Sequence, residues 1–95
     1  MIININQIKT KVLPIVKQAG VTRCAIFGSY VRGEAREESD IDLLVDVPYG
    51  TGLFAFVSLK NKLETTLKKK VDLVTYNSIN PYIRESILKD QLLIL

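Results

Sequence analysis

Apolar and polar positions along this chain follow two rhythms. Ile8, Val12, Ile15 and Ala19 recur at helical spacing, which predicts a helix over residues 6–19 with Gly20 as its stop. Pro14 is expected to kink that helix, because proline removes the bond to the Thr10 carbonyl. Residues 21–27 form a short, mostly apolar run that reads as a strand ending at Gly28-Ser29. A short helix from Ser29 to about Gly33 and a polar loop over 34–39 follow. Residues 40–47 carry the second rhythm. Ile41, Leu43, Val45 and Val47 alternate with Asp40, Asp42, Leu44 and Asp46. A period of two puts the four aliphatics on one face of a strand and three acids on the other.

Pro48-Tyr49-Gly50 reads as a turn. Residues 53–68 then read as an amphipathic helix carrying Phe56, Leu59 or Lys60, Leu63 and Leu67, with Glu64 four residues ahead of Lys68 in the favourable order. Residues 71–75 read as a third strand. Asn80 and Pro81 suit the cap and first turn of a last helix, with Ile83, Ile87 and Leu88 facing inward. The apolar tail 92–95 reads either as a short edge strand or as a surface that meets another chain. The element order is α-β-α-β-α-β-α. It predicts one α/β (α+β) domain over 1–95: a small mixed sheet of three to four strands, helices on one face, the other face open.

Composition narrows the chemistry. The 95 residues are 47% hydrophobic and 24% charged, which excludes a disordered chain. Thirteen Lys and Arg against ten Asp and Glu leave a net charge of +3. Such mild basicity suits a phosphate-rich ligand without requiring nucleic acid, and no nucleic-acid-binding motif is visible. The chain has no His, which excludes Ser-His-Asp and Cys-His catalysis and any imidazole zinc site. Its single cysteine, Cys24, can form neither an intramolecular disulfide nor a cysteine zinc cluster, and it fits a reducing cytoplasm. Met1-Ile2-Ile3-Asn4 lacks the charge-then-apolar pattern of a signal peptide, and no apolar run reaches the length of a membrane span. Acid–base and metal chemistry must come from carboxylates, Lys, Tyr and Ser.

Three features supply candidates. Gly28-Ser29 lies between a strand and a helix, where glycine lets a ligand approach the backbone and serine offers a hydroxyl and an N–H to a phosphate. Asp40 and Asp42 stand two apart, so both point the same way and can bridge hard divalent cations through oxygen. Asp72 sits near the start of the third strand. A helical crossover would make the second and third strands parallel, and an antiparallel first strand would bring Gly28 to the same sheet edge. Three carboxylates there would suit a two-metal in-line displacement. Each feature has an ordinary explanation alone: a capped helix, a solvated strand face, a surface acid. Together, Gly-Ser followed after ten residues by Asp-x-Asp has a chance frequency on the order of 10⁻⁵ per starting position at average residue usage.

The run Phe27-Gly28-Ser29-Tyr30-Val31-Arg32-Gly33-Glu34-Ala35, with Ser39-Asp40-Ile41-Asp42-Leu43-Leu44-Val45 after it, resembles the signature of minimal nucleotidyltransferases of the DNA polymerase β superfamily. Lys70-Val71-Asp72-Leu73-Val74 is similar to the segment bearing that family's third acid. The resemblance implies a palm-like nucleotidyltransferase fold and transfer of a nucleoside monophosphate to a hydroxyl. It implies that Gly28 and Ser29 hold the triphosphate and that Arg32 neutralises phosphate charge. It also implies that Asp40, Asp42 and Asp72 bind two Mg²⁺ ions, Asp72 helping to deprotonate the acceptor. Tyr30 stands where such families often carry an Arg, and Lys68-Lys69-Lys70 replaces an expected glycine-containing helix exit. Families of this size act beside HEPN-domain ribonucleases as antitoxin to toxin, moving AMP from ATP onto a toxin tyrosine. The resemblance therefore implies an ATP-using, Mg²⁺-dependent cytoplasmic antitoxin with a HEPN-domain partner, in a homo- or hetero-oligomer. Two other readings stay open: a nucleotidyltransferase of a small hydroxyl compound such as an antibiotic, and a non-catalytic module that blocks a partner by binding.

Overall fold

The first helix begins where its sequence offers a cap. In a computed structural model that describes residues 3–95, α1 (Ile5–Gln18) starts from Asn4. The Asn4 side chain accepts the Gln7 N–H at 2.8 Å, and Gln7 Oε1 accepts the Asn4 N–H at 3.0 Å, a reciprocal capping box. The expectation that Met1 and Ile2 begin no leader lies outside the described residues. At the other end Gly20 takes φ 79°, and the Val21 N–H reaches back to the Val16 carbonyl at 3.0 Å. The helix continues through Pro14. Its buried row is Ile8, Val12 and Val16; Ile15 is half-buried and Ala19, expected to face inward, is exposed. Ala19 is the residue at which the chain leaves the helix, so the i, i+4 row through Val16 takes its place.

Strands β1 (Arg23–Phe27), β2 (Ile41–Asp46) and β3 (Val71–Thr75) form where apolar runs are short and β-branched, and β4 (Leu92–Leu93) adds to them. The sheet order is β3-β2-β1-β4. β2 lies antiparallel to β1 and parallel to β3, as a helical crossover between the last two requires. The crossover is α3 (Leu53–Leu67), which buries Leu59, Leu63 and Leu67. The tail resolves as an edge strand: β4 pairs with β1, and the Cys24 carbonyl accepts the Ile94 N–H at 2.8 Å.

α1 and α3 pack on one face of the sheet, over Cys24, Ile26, Ile41, Leu43 and Val45. The other face is not left open along its whole length. Ala25 and Leu44, paired across β1 and β2, join Tyr76 and Ile79 in a second small core. A 3₁₀ turn (Tyr76–Ser78) and α4 (Pro81–Asp90) supply its cover, with Ile87 and Leu88 packed against it. Asn80 caps α4 as expected, accepting the Tyr82 N–H at 2.9 Å. Ile83 does not face inward; it is 52% exposed. Of the apolar residues in α4, Ile87 and Leu88 near its end pack on the second core, while Ile83 in its first turn does not.

The exit from α3 also differs from expectation. Glu64 Oε2 accepts the Val71 N–H at 2.9 Å and so fastens the helix to the start of β3. Lys68 takes the left-handed conformation usually given to glycine, at φ 56°. Lys69 Nζ donates to the Glu37 carbonyl, which ties this exit to the polar loop before β2.

Candidate active site

The strand register brings the acids together. Asp42 pairs with Phe27 on one side and with Asp72 on the other. Neighbouring strands stand about 4.8 Å apart, so the Asp42 and Asp72 side chains rise side by side from one face. That face is the one α4 partly covers, since Leu44 lies two residues on from Asp42 and Val74 two on from Asp72. Asp40 precedes β2 on the same side. Asp40 and Asp72 are exposed and Asp42 is half-buried. The three form a shelf where β2 and β3 begin and β1 ends.

Their proximity is visible in their electrostatics. The Asp42 carboxyl is pushed up to about 6, first by burial, then by repulsion from Asp72 and Asp40, with Arg32 opposing. A carboxylate that resists ionisation beside two others suits a hard divalent cation, which would relieve the repulsion and takes oxygen ligands. Among the described residues no three His, Cys, Asp or Glu side chains are gathered into a group placed to hold a metal ion. The donor chemistry fits; the acids stand as separate arms along the shelf.

Gly28 holds the other wall. It has φ 80° and ψ −149°, a region that is essentially glycine-only. A Cβ there would lie 2.1 Å from Asp42 Oδ2, so the Asp42 carboxylate occupies the space that any larger residue would need. Sequence alone pointed to close ligand approach at Gly28; the structure adds that the same vacancy seats the central acid.

Ser29 opens α2 (Ser29–Arg32), which is a single turn rather than a helix with a sizeable dipole. Its first N–H groups have no acceptor within the turn. The Gly28 carbonyl accepts from Val31 at 3.1 Å and from Arg32 at 3.2 Å, which bends the chain tightly beside Asp42. Arg32 is exposed, and its Nε donates to Glu34 Oε1 at 2.6 Å. The guanidinium is held above its ordinary pKa, chiefly by that hydrogen bond and also by Glu34, Asp42 and Asp90.

Two contacts at this site were not foreseen: the Glu34 bond to Arg32 and the lateral pairing of Phe27 with Asp42. The spacing Arg-Gly-Glu was a signal for the first, because a left-handed Gly33 folds the chain back on itself. Tyr30, where an Arg was a possibility, turns into the core at 5% exposure, and its hydroxyl finds no hydrogen-bond partner there. Cys24 is buried and its thiol pushed up to about 12, which makes it inert as a nucleophile. A groove of about 510 Å³ lies between α1 and α3, lined by Ile15, Phe54, Val57 and Lys62 among others. Another of about 380 Å³ lies where β2 and β3 end, at Val47, Phe56 and Thr75. The carboxylate row is outside both. No helix of the described residues is long and apolar enough to cross a membrane.

Known proteins share this fold. Residues 7–94 match the family described as nucleotidyltransferase domain. A relative from Methanocaldococcus jannaschii, provisionally named a protein adenylyltransferase, is 51% identical over 92% of this chain and 94% of its own. A solved structure of a provisionally assigned minimal nucleotidyltransferase superposes with a TM-score of 0.78 at 39% identity, covering 88% of this chain and 86% of that one. A toxin–antitoxin crystal structure with AMP-PNP shares the fold, with a TM-score of 0.79 at 24% identity over 92% of this chain and 72% of the other.

Proposed function

The chain belongs to the nucleotidyltransferase domain family, and on that premise we propose that it moves AMP from ATP onto a tyrosine hydroxyl of a HEPN-domain ribonuclease toxin, acting as its antitoxin. The observation that carries this reading is the side-by-side register of Asp42 and Asp72 against the Gly28 turn. The M. jannaschii relative's name favours a protein acceptor, and the toxin–antitoxin complex of the same fold favours a toxin. Asp40 and Asp72 are exposed, which suits an acceptor carried on another protein's surface better than a small molecule that needs an enclosing pocket.

In this reading Gly28 and Ser29 hold the triphosphate against the tight turn that begins α2. Arg32 offsets its charge from the side. Asp40 and Asp42 would hold Mg²⁺, with Asp72 completing the set. The metal, when bound, neutralises charge on the phosphates and orients them for an in-line displacement. The acceptor oxygen attacks the α-phosphorus, and the bond to the bridging oxygen of the β-phosphate breaks. Pyrophosphate leaves with that electron pair. Asp72, exposed at the shelf's edge, takes the proton of the attacking hydroxyl.

The test is transfer of label from ATP carrying ³²P at the α position, with Mg²⁺ and an extract of the source cells. Wild type runs beside an Asp40→Asn/Asp42→Asn double variant, and γ-labelled ATP serves as control. The expected result is one protein band labelled from the α position only, and by wild type only. An unlabelled partner that the double variant still binds and silences would replace the enzyme by a blocking module. Label on a small molecule instead would move the acceptor to a hydroxyl compound.

A further inference from the structure

We propose that Glu34 is a positioning residue that presents the Arg32 guanidinium to the triphosphate. The inference rests on the nucleotidyl-transfer reading and deepens it. Arg32 is the last residue of α2, and Gly33 follows in the left-handed conformation at φ 73°, ψ 20°. The chain then doubles back. The Gly33 and Glu34 N–H groups both donate to the Ser29 carbonyl, Glu34 at 2.9 Å. That closure carries the Glu34 side chain to Arg32, where Oε1 accepts from Nε at 2.6 Å.

Which nitrogen is bonded matters. Nε is the root of the guanidinium, so a carboxylate there leaves the two terminal amino groups as a free fork, the edge that grips phosphate oxygens. The Arg32 N–H donates to the Gly28 carbonyl at 3.2 Å, and Gly28 abuts the Asp42 carboxylate, so Arg32 is rooted beside the carboxylate shelf. The ion pair is open to water, with side chains 52% and 62% exposed. Such pairs add little to stability. What this one does is remove rotamer freedom from a long side chain before the ligand arrives, and that pre-organisation appears in affinity. Ser29, Arg32 and Glu34 thus form one unit, pinned at a single carbonyl.

The test is a double-mutant cycle read by calorimetric titration of the whole protein with ATP and Mg²⁺. Glu34→Ala is expected to weaken binding about twofold to fivefold. Glu34→Gln keeps an oxygen that accepts from Nε, and is expected to bind at least as tightly as wild type. In an Arg32→Ala background the Glu34→Ala change is expected to have no effect. Melting temperatures of the two Glu34 variants stay near wild type. Loss of negative charge alone would tighten binding of an anion, so the expected sign for Glu34→Ala is opposite to the simple charge effect. Tighter binding by Glu34→Ala, no change, or an equal loss in the Arg32→Ala background overturns the inference while the nucleotide reading stands. A wild type that binds no ATP overturns both.

Discussion

Asp42 is the residue on which the site turns, and the fold holds it at a cost. Its carboxyl keeps a proton up to about pH 6 in the folded protein, against an ordinary value of 3.8. Between those values the folded state binds more protons than the unfolded state. Stability therefore falls as pH rises from about 4 to about 6 and levels off above. Asp42→Asn removes the charge and keeps the shape. It is expected to be more stable than wild type at pH 7 by about 1 kcal/mol, a figure reduced for the partial exposure of the group. The gap closes towards pH 4. Urea unfolding at the two pH values measures it, and a variant no more stable than wild type at pH 7 contradicts the repulsion. Asp40 and Asp42 were legible as a pair because two-residue spacing on a strand is a local pattern. The pairing of Asp42 with Asp72 depends on a register across a whole crossover, so it could only be expected from element order. The Glu34 contact needed the left-handed turn at Gly33, which spacing suggests and only the backbone supplies.

Elements with a complete local signal formed close to where the pattern put them. The Gly20 stop bounds α1, whose start lies one residue before the expected one because Asn4 caps it, and alternation marks β2 to within a residue at each end. α4 was harder to read. Its cap was plain, but which side faces inward depends on what the helix packs against. Ile83 is exposed while Ile87 and Leu88 pack on the second core. Leu44 among the acids of β2 was the available sign that the second face carries a core. The α3 exit shows a local preference overridden by packing. Lys68 is held in the left-handed region because Leu67 is buried behind it and Val71 is fastened to Glu64 ahead of it. Lys68→Gly is expected to raise stability by about 0.5–1 kcal/mol, since a side chain in this region is strained and glycine is not. Thermal unfolding reads the gain; an unchanged or lower midpoint would show that the lysine is relaxed there.

At the scale of the molecule, β4 covers an edge that would otherwise be open. Cys24 exchanges backbone hydrogen bonds with Ile94 and Leu95, and both of those side chains pack against the main core. Deleting residues 92–95 leaves β1 with a row of unpaired backbone groups and uncovers apolar surface. The expected outcome is a loss of about 2 kcal/mol and concentration-dependent association. Denaturation and gel filtration report the two effects, and a stable monomeric truncation would show that the strand is dispensable.

The parallel pairing of β2 with β3 also has a consequence in time. Gly28, Ser29, Asp40 and Asp42 all precede α3 in the chain, whereas Asp72 follows it and joins them only through the β2–β3 pairing. Closing a long loop is slow compared with forming a helix or a hairpin. A nascent chain that has already paired β1 with β2 therefore displays the Gly28 turn and two acids without Asp72 beside them. The row of three acids is expected to assemble last, when β3 docks.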